Sequence, residues 1–224
     1  MIRGSTSVAG LVAVLTTAFI AGCANTIAGT VTWPGAKLEK VVLTAADFPA
    51  GVQYDRIVNT PGQSDSAGGP PAMLSSPAGC SDGLTRVIAN SAERGPGSAV
   101  EYVAAYNGAR LVMTVLSSPL DLDGLAATAQ RCERFRAFFD PAGEGIPITT
   151  TKLDARHADA LAYQQTMQLS GMESSVYFSF QNVGNMSVFG IAFATPNPSI
   201  PVKGMLPQTF LDVAGKQAER MQSA

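Results

Sequence analysis

Alternation of apolar and polar positions is the clearest signal along the chain. Val100, Tyr102, Ala104 and Tyr106 alternate with less apolar neighbours, and Leu111, Met113 and Val115 repeat the pattern after Asn107-Gly108. Both residues of an Asn-Gly pair tolerate positive φ, so the segment predicts a β-hairpin with one face buried. Residues 160–169, 176–180 and 188–194 predict three more strands, separated near Gly171 and at Val183-Gly184-Asn185. Residues 149–153 and 52–58 are candidates for two others. Steps of three and four predict helices. Leu122, Leu125, Ala129, Cys132, Phe135 and Phe139 form one stripe, read as a helix capped by Asp121 or Asp123 and stopped by Asp140-Pro141. Leu206, Phe210, Val213, Ala214 and Met221 form another, and Leu84, Val87 and Ile88 suggest a short helix after Cys80. Residues 43–49 read as one capped turn ended by Pro49, and residues 60–79, crowded with Pro, Gly and Ser, as a long loop. Strands in antiparallel groups, interrupted by helices, predict an α+β domain: an antiparallel β-sheet with helices packed on it.

The start of the chain has neither period. Residues 8–20 are apolar apart from Gly10 and two threonines, behind one early cation, Arg3. A membrane-crossing helix needs roughly 20 apolar residues, so this shorter run reads as the core of a signal peptide. Ile20-Ala21-Gly22-Cys23 follows directly and has the form of a bacterial lipobox. Small residues fit the peptidase, and the thiol receives the diacylglyceryl group. The expected organisation is a signal peptide over 1–22, a lipidated Cys23 and tether over 23–40, and one domain over 41–224. Each buried methylene contributes about 0.8 kcal/mol, so several acyl chains would anchor the protein at the extracytoplasmic face of a cell membrane. An ordinary signal peptide with an incidental cysteine is the competing reading.

Export changes what the remaining cysteines mean. An exported domain with two of them, Cys80 and Cys132, most simply pairs them as a single disulfide staple; two separate buried thiols are the alternative. With the thiols paired, His157 alone cannot build a zinc site, and no metal is expected. The chain carries 15 Lys and Arg against 17 Asp and Glu, a net charge of −2, with no basic run. That balance argues against nucleic acid as the partner.

Candidate chemistry is sparse. No Gly-x-Ser-x-Gly elbow and no phosphate-binding glycine loop are present, so no catalytic or cofactor-binding residues and no cofactor are expected. His157 is the single histidine. It could serve a hydrolase with Asp154 or Asp159, although a turn histidine among charges is the simpler reading. Glu133 among Arg131, Arg134 and Arg136 reads as a solvated face. Met113, Met167, Met172, Met186 and Met205, with Tyr102, Tyr106, Tyr163, Phe178 and Phe193, could line a cleft for an apolar small molecule, or simply fill the core.

The lipobox, the segment Leu43-Thr44-Ala45-Ala46-Asp47-Phe48-Pro49-Ala50-Gly51, Cys80, and Cys132 followed by Phe135 together resemble mycobacterial cell-envelope lipoproteins. These are similar in turn to the extracellular sensor domain of PknH-type serine/threonine kinases. The resemblance spans most of residues 40–222. It implies a disulfide-stapled α+β domain with a ligand-receiving cleft and no defined catalytic residues. That sensor domain carries two disulfides, whereas this chain can supply one. The functional expectation is a non-enzymatic, lipid-anchored envelope protein with a ligand-binding or sensor-like domain. A protein-interaction or scaffolding lipoprotein is the alternative, and a hydrolase using His157 comes third. The expected partners are the membrane, through the anchor, and either an apolar small molecule or an envelope protein.

Overall fold

The computed structural model describes residues 34–57, 73–86, 97–169 and 171–223, all within one compact unit, Thr32–Ala224. Nine strands form a single sheet: β1 (Gln53–Ile57), β2 (Leu74–Ser76), β3 (Ala99–Tyr106), β4 (Ala109–Leu116), β5 (Arg134–Phe138), β6 (Ile146–Leu153), β7 (Ala160–Leu169), β8 (Met172–Val183) and β9 (Met186–Phe193). Their order is β1-β3-β4-β9-β8-β7-β6-β5-β2, and every neighbouring pair is antiparallel. Among the described residues, three helices, α1 (Pro34–Val41), α2 (Leu122–Arg131) and α3 (Gln208–Gln222), complete an α+β architecture, with a 3-10 turn at Ala45–Asp47. The predicted Asn107-Gly108 hairpin forms, with Tyr102 opposite Met113, and Gly108 takes a φ of 99°.

Period-two alternation lets a strand bury one face, and here both faces of the sheet are partly buried. On one face α1 and α3 cover β3, β4 and β9, enclosing Tyr102, Leu111, Met113, Val115 and Phe210. Gly190 lets α3 come close: a Cβ there would stand 2.7 Å from both Met113 Sδ and Phe210 Cε2. On the other face α2 and Leu84 cover Leu116, Phe178, Phe180, Phe189 and Tyr163. A third cluster surrounds the disulfide between Cys80 and Cys132, with Phe135, Ala137, Met73 and Ile148. Beside it Thr150 donates to the Cys132 carbonyl (2.8 Å) and accepts from Gln165 Nε2 (3.2 Å), so the polar groups buried there are paired.

Three expectations need correction. The helix starting after Asp121 ends at Arg131, and Arg134–Phe138 is strand β5. Phe135 fits either period, but Arg134 and Arg136 face out while Phe135 and Ala137 face in, and β6 and β2 pair with both edges. The tether expected over 23–40 is helical from Pro34, and Leu38 and Val41 are buried. Proline suits a first helical position, since its missing N–H has no partner to lose. Part of the loop expected over 60–79 also forms β2, while residues 58–72 lie outside the described residues, as do Val87 and Ile88 of the short helix expected after Cys80.

Tyr102 is fully buried, and its ring meets those of Tyr54 (5.5 Å) and Phe48 (6.0 Å). Its hydroxyl finds no partner among the described residues. An unpaired buried hydroxyl costs about 1–3 kcal/mol. Tyr102→Phe should therefore raise stability by about 1 kcal/mol in a urea melt; a loss instead would reveal a trapped water serving the hydroxyl. Burial also raises the ionisation of Tyr102, Tyr54, Tyr106 and Tyr163 above the ordinary phenol value. The folded state therefore holds these protons longer than the unfolded state. Their contribution is complete below about pH 10 and is lost as pH rises further. Alkaline unfolding should coincide with the tyrosinate absorbance step; phenols that titrate while the fold stays intact would contradict this.

Candidate ligand-binding face

Among the described residues, the helices leave half of one sheet face bare. On the α3 side of the sheet, α3 reaches as far as β8. Beyond it the same face continues through β7, β6 and β5, fixed by register. Ser175 lies opposite Thr166, Thr166 opposite Thr149, and Thr149 opposite Arg134. One row further on, Pro147 lies opposite Arg136, and Arg136 opposite Ser76 of β2. Thr149, Arg134 and Arg136 are exposed, and Thr166, Ser175 and Tyr177 are half-buried. Gln164 donates to Ser175 (2.9 Å), and the Thr166 and Ser175 hydroxyls are 3.3 Å apart. An ordinary sheet with helices on this side would carry apolar residues here. These strands carry Thr, Ser, Gln and Arg instead, which keeps the surface solvated and rich in hydrogen-bonding groups.

A groove of about 310 Å³ opens on this face, lined by Ser76, Arg134, Arg136, Pro147 and Thr149. Its cations are barely used by the protein itself. Arg136 donates to the Gly145 carbonyl (3.2 Å), and neither Arg134 nor Arg136 forms an ion pair among the described residues. A second concavity of about 210 Å³, between the Ala45–Asp47 turn and α3, is different in kind. Its charged groups already have partners. Asp47 accepts from the Thr44 backbone N–H (2.8 Å) and hydroxyl (2.9 Å) and stands 3.6 Å from Arg220. Asp212 accepts from Gln208 (2.6 Å) and pairs with Arg156, and Lys216 donates to the Asp47 carbonyl. The Thr44 backbone N–H holds the Asp47 carboxyl below its ordinary value against opposing burial, helped by the Thr44 hydroxyl, Arg220 and Lys216. That concavity is a joint between α3 and the 44–49 segment.

The other candidates fall apart in space. Cys23 lies outside the described residues, and Cys80 and Cys132 are taken up by the disulfide. His157 sits in the β6–β7 connection with its Nε2 buried and without a partner among the described residues, near Gly215 of α3. A hydrolytic base must reach a nucleophile; this nitrogen faces the helix instead. The methionines and aromatics considered as a cleft lining occupy separate places. Met113, Tyr102 and Tyr106 are in the core under α3, and Tyr163 and Phe178 are in the core under α2, on the opposite face. Met172 and Met205 are exposed. Arg134 and Arg136 were legible only as a charged cluster, although the alternation Arg-Phe-Arg-Ala would have separated them from Phe135. Among the described residues no three His, Cys, Asp or Glu side chains gather to hold a metal, and no helix is long and apolar enough to cross a membrane.

No known protein family matches the sequence, and no curated protein does. Among solved structures, an uncharacterized protein from Mycobacterium smegmatis, the Rv0999 ortholog, aligns with 84% of this chain and 95% of its own. The two share 16% identity at a TM-score of 0.45.

Proposed function

We propose that this chain is an exported, lipid-anchored envelope lipoprotein whose domain binds a ligand without catalysis, on the bare half of its sheet. The observation that carries the binding reading is the pair of exposed guanidiniums, neither in an ion pair among the described residues, set in a groove on a hydrogen-bonding sheet face. The anchor rests on the lipobox ending at Cys23. The domain would act like the sensor part of a PknH-type kinase separated from its kinase, as the sequence resemblance suggests, with its ligand on the surface and not in an interior cleft.

Native mass spectrometry of the full-length chain extracted from membranes in detergent tests this, beside organic extraction of the same sample. A reproducible co-purifying small molecule supports the reading, and a bare lipidated chain counts against it. Cys23→Ser should abolish the diacylglyceryl mass and release the chain from the membrane fraction; unchanged membrane retention would remove the anchor from the account.

A protein-interaction role is the second reading. Leu74, Phe139, Leu169 and Met172 are all exposed, and they lie at the end of the sheet where β2 and β6 begin and β5 and β7 end. Crosslinking in intact cells that captures one defined envelope protein through this end would favour it.

A further inference from the structure

The groove between β2, β5 and β6 joins two kinds of surface. Arg134 and Arg136 stand two residues apart on one strand, so both guanidiniums leave the same face of the sheet. Ser76 opposite Arg136 and Thr149 opposite Arg134 add a hydroxyl beside each. Guanidinium forks match oxyanions bidentately, and hydroxyls fill the remaining lone pairs. One row along the same face, Leu74 lies opposite Phe138. Leu74 is 55% exposed and Phe138 is half-buried against Gly145, so the cationic groove borders a small apolar patch. The groove's volume of about 310 Å³ is at the low end for small-molecule sites, enough for a headgroup but not for a whole lipid.

We propose that this groove is an oxyanion site for the charged end of an anionic amphiphile, with Arg134 and Arg136 pairing with the oxyanion and Leu74 and Phe138 carrying the first part of its apolar chain. The inference deepens the binding reading above by naming the ligand's chemical class.

The test is calorimetric titration of the full-length chain with dihexanoyl-phosphatidylglycerol below its micellar concentration, with dihexanoyl-phosphatidylcholine, and with inorganic phosphate. Phosphatidylglycerol should bind, phosphatidylcholine should not, and phosphate should compete but bind about tenfold more weakly for lack of an apolar portion. Arg134→Gln combined with Arg136→Gln should weaken phosphatidylglycerol binding by about tenfold or more. Arg110→Gln, which removes an exposed cation from β4, should leave it unchanged. Leu74→Ser should weaken phosphatidylglycerol but not phosphate. Equal binding by the double variant, or no binding of either anion by the wild-type chain, overturns the oxyanion site. Phosphate bound as tightly as phosphatidylglycerol overturns the amphiphile. A neutral molecule co-purifying with the chain, together with no anion binding, would sink this inference while leaving the binding reading standing.

Discussion

Removing the Cys80–Cys132 bridge, by Cys80→Ala with Cys132→Ala, is expected to lower stability by about 4 kcal/mol. The two cysteines are 52 residues apart in sequence, and the bridge therefore closes a loop holding β3, β4 and α2. Opening that loop frees the unfolded chain, and the entropy regained sets the magnitude. The native side adds little relief, since both sulfurs are buried with Phe135 and Ala137 and leave small voids behind. For a domain of this size the loss should appear as a drop of roughly 10 °C in melting temperature. The bridge also ties the 73–82 segment to α2, so the same variant should expose β2 to hydrogen exchange before the β3–β4 hairpin. A melting temperature within about 2 °C of the wild type would mean that the cluster packs as well without the bond.

Gln217→Leu is expected to cost about 3 kcal/mol, although it replaces a polar side chain in the core with an apolar one. Gln217 is fully buried on α3. Its Oε1 accepts from the Leu43 N–H (3.0 Å) and its Nε2 donates to the Val41 carbonyl (2.8 Å). Both groups sit where α1 ends, and a helix end leaves carbonyls without intrahelical donors. Leucine would strand two buried backbone groups, each costing about 1–3 kcal/mol. Gln217→Glu separates this from packing, because the shape is kept. A carboxylate can accept from Leu43 but cannot donate to Val41, and burial raises its pKa. The protonated form restores both bonds. Its contribution is therefore present at low pH and lost as pH rises through the raised folded value. The variant should be weak at pH 7 and recover toward pH 5 in chemical denaturation. Equal destabilisation at both pH values would assign the cost to packing.

The parts of the fold that were legible in sequence are those whose signal is local. The β3–β4 hairpin carries its alternation and its Asn-Gly turn within 18 residues, and β7 begins and ends where its apolar pattern does. The failures share a cause in distant partners. α1 has eight residues and too short an apolar face to stand out; it is held by α3 through Gln217, more than 170 positions away. Phe135 satisfied the helical stripe of residues 122–139 equally well, and only pairing with β6 and β2 decides for a strand. The candidate site was invisible for the same reason. Arg134 and Arg136 read as ordinary solvated charge until β2, a three-residue strand inside a loop-like stretch, places Ser76 and Leu74 beside them. Tyr102 and Phe178, read as cleft lining or as core, fill the core on opposite faces of the sheet.

Under the proposed function, ligand binds on the bare half of the sheet. The most direct test is backbone amide NMR of the full-length chain in detergent, titrated with an organic extract of the envelope. Shifts confined to Arg134, Arg136, Thr149, Thr166 and Ser175 and their neighbours are the predicted result. Shifts centred on Tyr102, Met113 and Phe210 under α3, or no shifts at all, would contradict it.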